Sequence, residues 1–391
     1  MLDKTHKQLI SGMVALFIVM AISRFAFTPL LPIMQSSTHL NSQTSGYLAT
    51  SNYLGYLIGA IIPMWFIMKS KAIDLKLYLL INIVSTVLMG MSDSYIVWLV
   101  LRLIGGITSG TVFVLASNIV LDALRQAHKE SISGLLYSAV GMGLFVSSIY
   151  IFFVADSVSW QALWITLGIF SMIISLYVFI TLKDNVQMKM EDSKTHRNFS
   201  TQTIDARFKR YFYIAYFCEG AGYIITGTFL VVIVKSIPQF ADYAALSWMF
   251  VGLGAIPSTI LWSMIADKIT REKAIYLAFI LQIVGVCLPI LSHNIVSIII
   301  SSILFGGTFL GLTTLFLSQG QTMMYQYNTK TNFVASLTVI YSIGQMVAPS
   351  ISGVLIGESG NYNLALGFAT IILLVGLISS VKSYNVMRKL E

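Results

Sequence analysis

Charge is scarce in this chain. Asp, Glu, Lys and Arg make up only 10% of its 391 residues, against 56% hydrophobic, and the mean hydropathy is +0.80. So few charges cannot cover the surface of two or three water-soluble domains, which the length alone would suggest. Cysteine is nearly absent as well. Cys218 and Cys287 both fall in apolar stretches, so a disulfide framework is not expected. The histidines (His6, His39, His128, His196 and His293) lie in polar loops without metal-ligand spacing, so no metal and no other cofactor is expected. No phosphate loop of the Walker type occurs, so ATP does not drive the protein directly. No hydrolytic triad can be assembled and no loop has room for a catalytic domain, which argues against an enzyme. A cleavable signal pattern is also missing. The first apolar run is too long and ends in PLLP (29–32), so it is expected to stay as a helix.

What is present is a rhythm of long apolar stretches broken by short polar turns. A helix needs about 20 apolar residues to cross roughly 30 Å of hydrocarbon. Twelve stretches qualify: 9–34, 44–68, 75–92, 95–121, 131–154, 159–182, 208–235, 244–266, 273–291, 295–319, 332–356 and 362–381. They are too long, and alternate too little, for a membrane β-barrel. The chain therefore reads as an all-α polytopic membrane protein with twelve transmembrane helices. Of its 24 lysines and arginines, only Lys235 falls in a loop of the opposite parity, and only Arg24 and Arg102 lie deep in spans. The rest flank one side of the bilayer, so both termini are expected in the cytoplasm of a cell, with a bacterial inner membrane as the expected site. The net charge of +8 thus reflects membrane orientation, and no nucleic-acid partner is expected.

One long polar stretch, 183–207, divides the chain into an N-terminal bundle (1–182) and a C-terminal bundle (208–391), with the stretch itself a cytoplasmic linker. The halves show likeness at an offset near 200 residues. Gly105-Gly106 matches Gly306-Gly307, Ser117-Asn118 matches Ser318-Gln319, Tyr137-Ser138 matches Tyr341-Ser342, and GAIIP (59–63) matches GAIP (254–257). Such a pattern predicts parallel repeats about an axis along the membrane normal.

With SRFAFTPLLP (23–32), GYLATSNYLGYLIGAIIP (46–63), GAGYIITGTFL (220–230), SWMFVGLGAIPSTILW (247–262) and SLTVIYSIGQMVAPSISG (336–353), the chain resembles the major facilitator superfamily, and within it the YbfB/YjiJ-type branch. The likeness covers most of the chain. It implies two pseudo-symmetric six-helix bundles, with the first, fourth, seventh and tenth helices lining a cavity. It supplies a mode of action rather than a cargo. The superfamily's basic signature after the second helix is degenerate here (MKSKAIDLK, 68–76). Its second copy, ADKITREK (266–273), is closer, so Asp267 and Arg271 resemble a gate or latch. RLIGG (102–106) is similar to the superfamily's fourth-helix Arg motif, which implies proton coupling through Arg102. The usual antiporter Gly-Pro is missing from GLLYSAVGMG (134–143).

Arg24, Arg102 and Glu219 are the charges that lie well inside spans, and intramembrane charges are functional candidates by default. Arg24 can hold a carboxylate or phosphate bidentately, or it can tie helix carbonyls and an internal acid together. Glu219 is a candidate to bind and release a proton, or a fixed partner of Arg24. Arg102 can couple protons or snorkel to the surface. Asn52, Asn118, Gln319 and Gln345 can contact substrate or bridge helices. Tyr53, Tyr216, Tyr223 and Trp248 can wall a cavity or simply pack. The expectation is a monomeric secondary transporter working by alternating access on a small organic solute, anionic by preference, with protons as the coupling ion and the lipid bilayer as its medium. Arg24, Asn52, Tyr53, Asn118, Tyr223 and Gln345 would bind substrate, with Glu219 and Arg102 coupling. Alternatives are a flippase or exporter of lipids and amphiphiles, or a non-transporting membrane sensor. A sensor would need a soluble domain or docking tail, and the sequence shows neither.

Overall fold

The computed structural model describes residues 3–129, 132–184, 203–327, 333–357 and 360–388. Most of the expected linker, with Lys189, Lys194 and Arg197, lies outside them, as do Lys330 and Lys389.

Among the described residues twelve long helices form, one for each apolar stretch. They are α1 (Lys4–Ser37), α2 (Ser42–Trp65), α3 (Lys71–Met89), α4 (Tyr95–Gln126), α5 (Gly134–Val154), α6 (Trp160–Thr181), α7 (Ala206–Lys235), α8 (Ala244–Ile269), α9 (Arg271–Leu291), α10 (Ile295–Gln326), α11 (Phe333–Ile356) and α12 (Tyr362–Arg388). Polar residues start several of them. Asn41 and Thr44 close a capping box on α2, and Ser159, Asp205 and Asn294 accept first-turn N–H groups of α6, α7 and α10. An even number of crossings returns both termini to one face, called the termini face below; the other is the far face.

Eleven of these helices are apolar enough to cross a membrane by composition, and α2 is the exception. Its polar side chains bond to neighbouring helices instead of facing lipid. Thr50 donates to the Met346 carbonyl (2.8 Å), Ser51 to the Leu99 carbonyl (2.7 Å) and Asn52 to the Arg102 carbonyl (2.9 Å). A span whose polar groups are satisfied by protein does not need the hydropathy of a lipid-facing one.

α1 is not uniform. Between α-helical ends it winds as a π-helix over Phe17–Phe25, and Pro29 and Pro32 follow. Pro29 brings no N–H to the ladder, so a carbonyl in the turn before it loses its helical donor. Such wide turns often sit at functional positions.

The internal repeat is visible as geometry. A Cβ added to Gly106 of α4 would stand 2.0 Å from the Asn52 carbonyl oxygen of α2, and one added to Gly306 of α10 would stand 2.0 Å from the Val251 oxygen of α8. The α2–α4 crossing thus recurs as α8–α10. The offset is 200 between α4 and α10, pairing Gly106 with Gly306, and 199 between α2 and α8, pairing Asn52 with Val251, so Gly105-Gly106 and Gly306-Gly307 do not superpose residue for residue. Gly307 faces open space, with only the Gly254 oxygen at 3.7 Å.

The halves meet along two seams. α2 lies on α11, with Gly46 against the Pro349 carbonyl and Thr50 bonded to Ser350 at 2.6 Å. α5 lies on α8, with Gly141 against the Ile256 nitrogen and Thr259 donating to the Gly134 carbonyl at 3.2 Å. Between the seams α1 reaches α7, where Thr28 donates to the Gly227 carbonyl at 2.5 Å.

Candidate functional site

Arg24 leaves the last turn of the π-stretch and is 2% exposed. Its guanidinium carbon lies 4.1 Å from the ring centre of Tyr56, 4.7 Å from Tyr53 and 5.1 Å from Phe25. Phe25 in turn meets Trp248 of α8 and Phe309 of α10, each at 6.3 Å. Arg24 therefore stands where the two halves touch. Its Nε and one terminal nitrogen have no hydrogen-bond partner, and among the described residues it forms no ion pair.

Arg102 is equally buried and does not snorkel. One of its terminal nitrogens donates to the Ser23 carbonyl at 3.0 Å, and both approach the Arg24 carbonyl at 3.4–3.5 Å. Its guanidinium also covers the Phe27 ring at 4.5 Å. Arg102 supplies donors to carbonyls next to the proline-interrupted turn, and so fixes the backbone from which Arg24 projects. Asn52 in turn holds the Arg102 carbonyl.

On the other side of the junction rings stack in a column. Phe316, Tyr216, Tyr341, Tyr223, Phe309 and Phe305 follow one another at 4.6–5.8 Å between centres, with planes 12–25° apart. Each well-placed ring pair adds about 0.5–1.5 kcal/mol beyond area burial. Gln345 donates its amide N–H to the Tyr223 hydroxyl, while its own carbonyl oxygen and the Trp248 indole N–H stay unpartnered. Most members of this column, and Tyr56, were not singled out from sequence. Rings at helical spacing are indistinguishable there from ordinary packing.

Glu219 is 0% exposed. It faces Gln282 of α9 and Tyr341 of α11 without closing a hydrogen bond to either. It lies two turns from Gly227 toward the termini face, whereas Arg24 lies one turn from Thr28. The structure does not bring the two charges together. Tyr341, which faces Glu219, stacks on Tyr223 in the ring column at 5.8 Å.

The remaining candidates sit apart from this cluster. Asn118 is exposed on α4, roughly 18 Å along the helix from Gly106. Asp267 is exposed at the end of α8 and forms no ion pair among the described residues. Arg271 reaches α10 instead, donating to Gln319 Oε1 (3.1 Å) and Thr322 Oγ1 (2.8 Å). The two cysteines are free.

The family profile described as the uncharacterised MFS-type transporter YbfB matches residues 16–380. The solved structure of the nucleoside transporter NupG, determined as a point mutant, superposes with a TM-score of 0.72 at 12% identity, covering 100% of both chains. A bacterial homologue of the human lysosomal transporter Spinster, in an inward-facing and unoccupied conformation, superposes with a TM-score of 0.67 at 15% identity, covering 99% of this chain and 97% of that one. At such identities the likeness is one of fold. A search of curated proteins gives no match.

Proposed function

Because this chain belongs to the YbfB-type family of the major facilitator superfamily, we propose that it is a proton-coupled secondary transporter that carries a small organic anion across the cell membrane by alternating access. Its family and its structural relatives are transporters, and multi-pass membrane proteins. The finer reading rests on one observation: a guanidinium buried at the junction of the halves with no carboxylate beside it. Withdrawing such a charge from water costs several kcal/mol even after relaxation. Ring faces return about 2 kcal/mol when desolvated. A bound anion supplies the remainder, held bidentately by the free nitrogens of Arg24.

In this reading Tyr53 and Tyr223 wall the site, Gln345 and Trp248 offer the unpartnered carbonyl and N–H for a second polar group, and Asn52 and Arg102 hold α1 in place. Asn118 meets substrate only on the termini side. Glu219 takes and releases the proton, and its state is felt at the anion site through Tyr341 and Tyr223. Units 1–182 and 208–391, joined by 183–207, rock about the seams, and Asp267 and Arg271 gate the termini face, which is cytoplasmic. A monomer suffices for this cycle.

The test is a stability screen of the purified protein against a panel of small carboxylates and phosphates. A ligand at a hundred times its Kd stabilises the folded protein by about 2.7 kcal/mol. At least one anion raises the melting temperature of the wild type and leaves Arg24→Ala unmoved. In proteoliposomes, flux of that anion collapses with an uncoupler and in Glu219→Gln. Anion-independent melting across the panel would remove the anion reading. Uncoupler-insensitive flux would remove the coupling.

A further inference from the structure

The last six helices hold a line of polar groups that substrate binding does not use. Glu219 on α7 and Gln282 on α9 are fully buried, and no polar atom of either side chain has a protein partner. On α12 the Ser380 hydroxyl and the Tyr384 phenol are also buried and unpartnered. Unpaired polar atoms are costly in a membrane interior, so four residues along one seam call for an explanation.

Their order follows from the packing. α7 and α12 cross with Cys218 against Gly376 and Gly222 against Leu373. Gly376, Ser380 and Tyr384 recur every four residues and therefore share one face of α12, stepping toward the termini face. The Tyr384 ring lies 6.3 Å from Phe212 of α7 and 6.0 Å from Tyr276 of α9. Ser380 thus falls about one turn below Glu219 and one turn above Phe212. The Tyr276 hydroxyl donates to Glu272 Oε1 at 2.9 Å, and Glu272 pairs with Arg388, whose side chain is 57% exposed. The line runs from solvent at the termini face to Glu219.

We propose that this seam between α7, α9 and α12 is the proton route to Glu219, separate from the path of the substrate between the halves. It rests on the reading of Glu219 as the proton-binding group. None of Glu219, Ser380 and Tyr384 hydrogen-bonds the next directly, so the Tyr384 and Ser380 hydroxyls relay the proton through waters between them, each donating to one and accepting from another. The net event is one proton moved from Glu272 or water to the Glu219 carboxylate, with no bond oxidised. Tyr384 is faced by Arg271, Tyr276 and Glu272. Glu219 is faced by Tyr216 on its own helix, by Tyr341 on α11, by Tyr223 and by Gln282. The competing path runs from Tyr341 to Thr313 Oγ1, 3.3 Å away, and out between the halves.

The full chain in lipid nanodiscs is given a rapid acid jump, and the carboxyl infrared band that disappears in Glu219→Gln is followed in time. Tyr384→Phe keeps the ring and removes only the hydroxyl; Ser380→Ala removes the other. Each slows the band's appearance at least roughly tenfold, the lower end of what a positioned proton-transfer group contributes. The final amplitude and midpoint stay in place, Ser380→Thr restores the rate, and Tyr341→Phe has the smaller effect. Wild-type rates in both Tyr384→Phe and Ser380→Ala overturn the route, and so does a slower rate in Tyr341→Phe. If no band distinguishes wild type from Glu219→Gln at any pH, the coupling reading of Glu219 fails and takes the route with it.

Discussion

The two halves share a scaffold and differ in how they treat their buried polar groups. At the offset set by Gly106 and Gly306, Asn82 of α3 corresponds to Gln282 of α9. Asn82 donates to the Gly105 carbonyl (3.1 Å), the Thr108 hydroxyl (2.8 Å) and the Ser109 hydroxyl (3.2 Å), and Ser109 donates to the Val19 carbonyl (2.9 Å). The first half thus binds α1, α3 and α4 together. Gln282 makes no such bond. Arg24 sits in the half whose α3 amide is bonded to α4, and Glu219 in the half whose α9 amide is not bonded to α10. The repeated helix crossing keeps its packing in both halves while the polar contents beside it differ.

The largest contrast expected is at Arg24. Truncating one partner of a buried charge pair costs about 2–5 kcal/mol. Arg24→Ala therefore loses at least roughly thirtyfold in affinity for the stabilising anion, read by titration calorimetry. Tyr223→Phe keeps the ring column and loses far less. Equal losses in the two variants would move the anion site into the second half.

Asn82 against Gln282 sharpens the comparison next. Asn82→Ala strips three hydrogen bonds and leaves a hydroxyl pair to re-pair, a loss of about 1–3 kcal/mol, seen as earlier unfolding in denaturant titrations in detergent. Gln282→Leu removes an amide that makes no bond to α10 and costs less than Asn82→Ala. The opposite order would mean that the second half is tied as firmly as the first.

Glycine substitutions test the repeat itself. Gly306→Ala puts a methyl into the Val251 carbonyl and costs about 1–3 kcal/mol by overpacking, whereas Gly307→Ala meets open space and is tolerated. Thermal melts of the two variants decide whether the offset is 200 or 201.

The smallest effect is at the start of α7. The N–H groups of Arg207, first, and then of Phe208 hold the Asp205 carboxyl below its ordinary range, although desolvation opposes them. The folded value is depressed, so this cap's support is complete above the unfolded value near 3.8. It fades as pH falls through the folded value. Amide exchange at the first turn of α7 rises over that acid window in the wild type and is already raised, and flat with pH, in Asp205→Ala.

Much of this was legible without coordinates. The apolar runs give the helix count, and Arg24 and Glu219 announce themselves because a charge in a hydrocarbon-length run has few reasons to be there. The stretch 44–68 reads as an apolar span like the others, yet α2 falls short of them in composition. Apart from Tyr216 and Tyr223 the ring column was not legible, nor were Tyr56 and the α12 hydroxyls. Ser380 and Tyr384 look like any helix-end polar residues until Gly376 brings their face against α7.

Hydropathy period and charge parity therefore determined the span count and the fold class, because the bilayer imposes both on any chain that crosses it. Only the tertiary structure decided that Arg102 serves the α1 backbone, that Arg24 and Glu219 stand apart, and that Gln282 is left free. Those outcomes depend on the rotation of one helix about its axis relative to another, and a linear pattern of apolar residues leaves that angle undetermined.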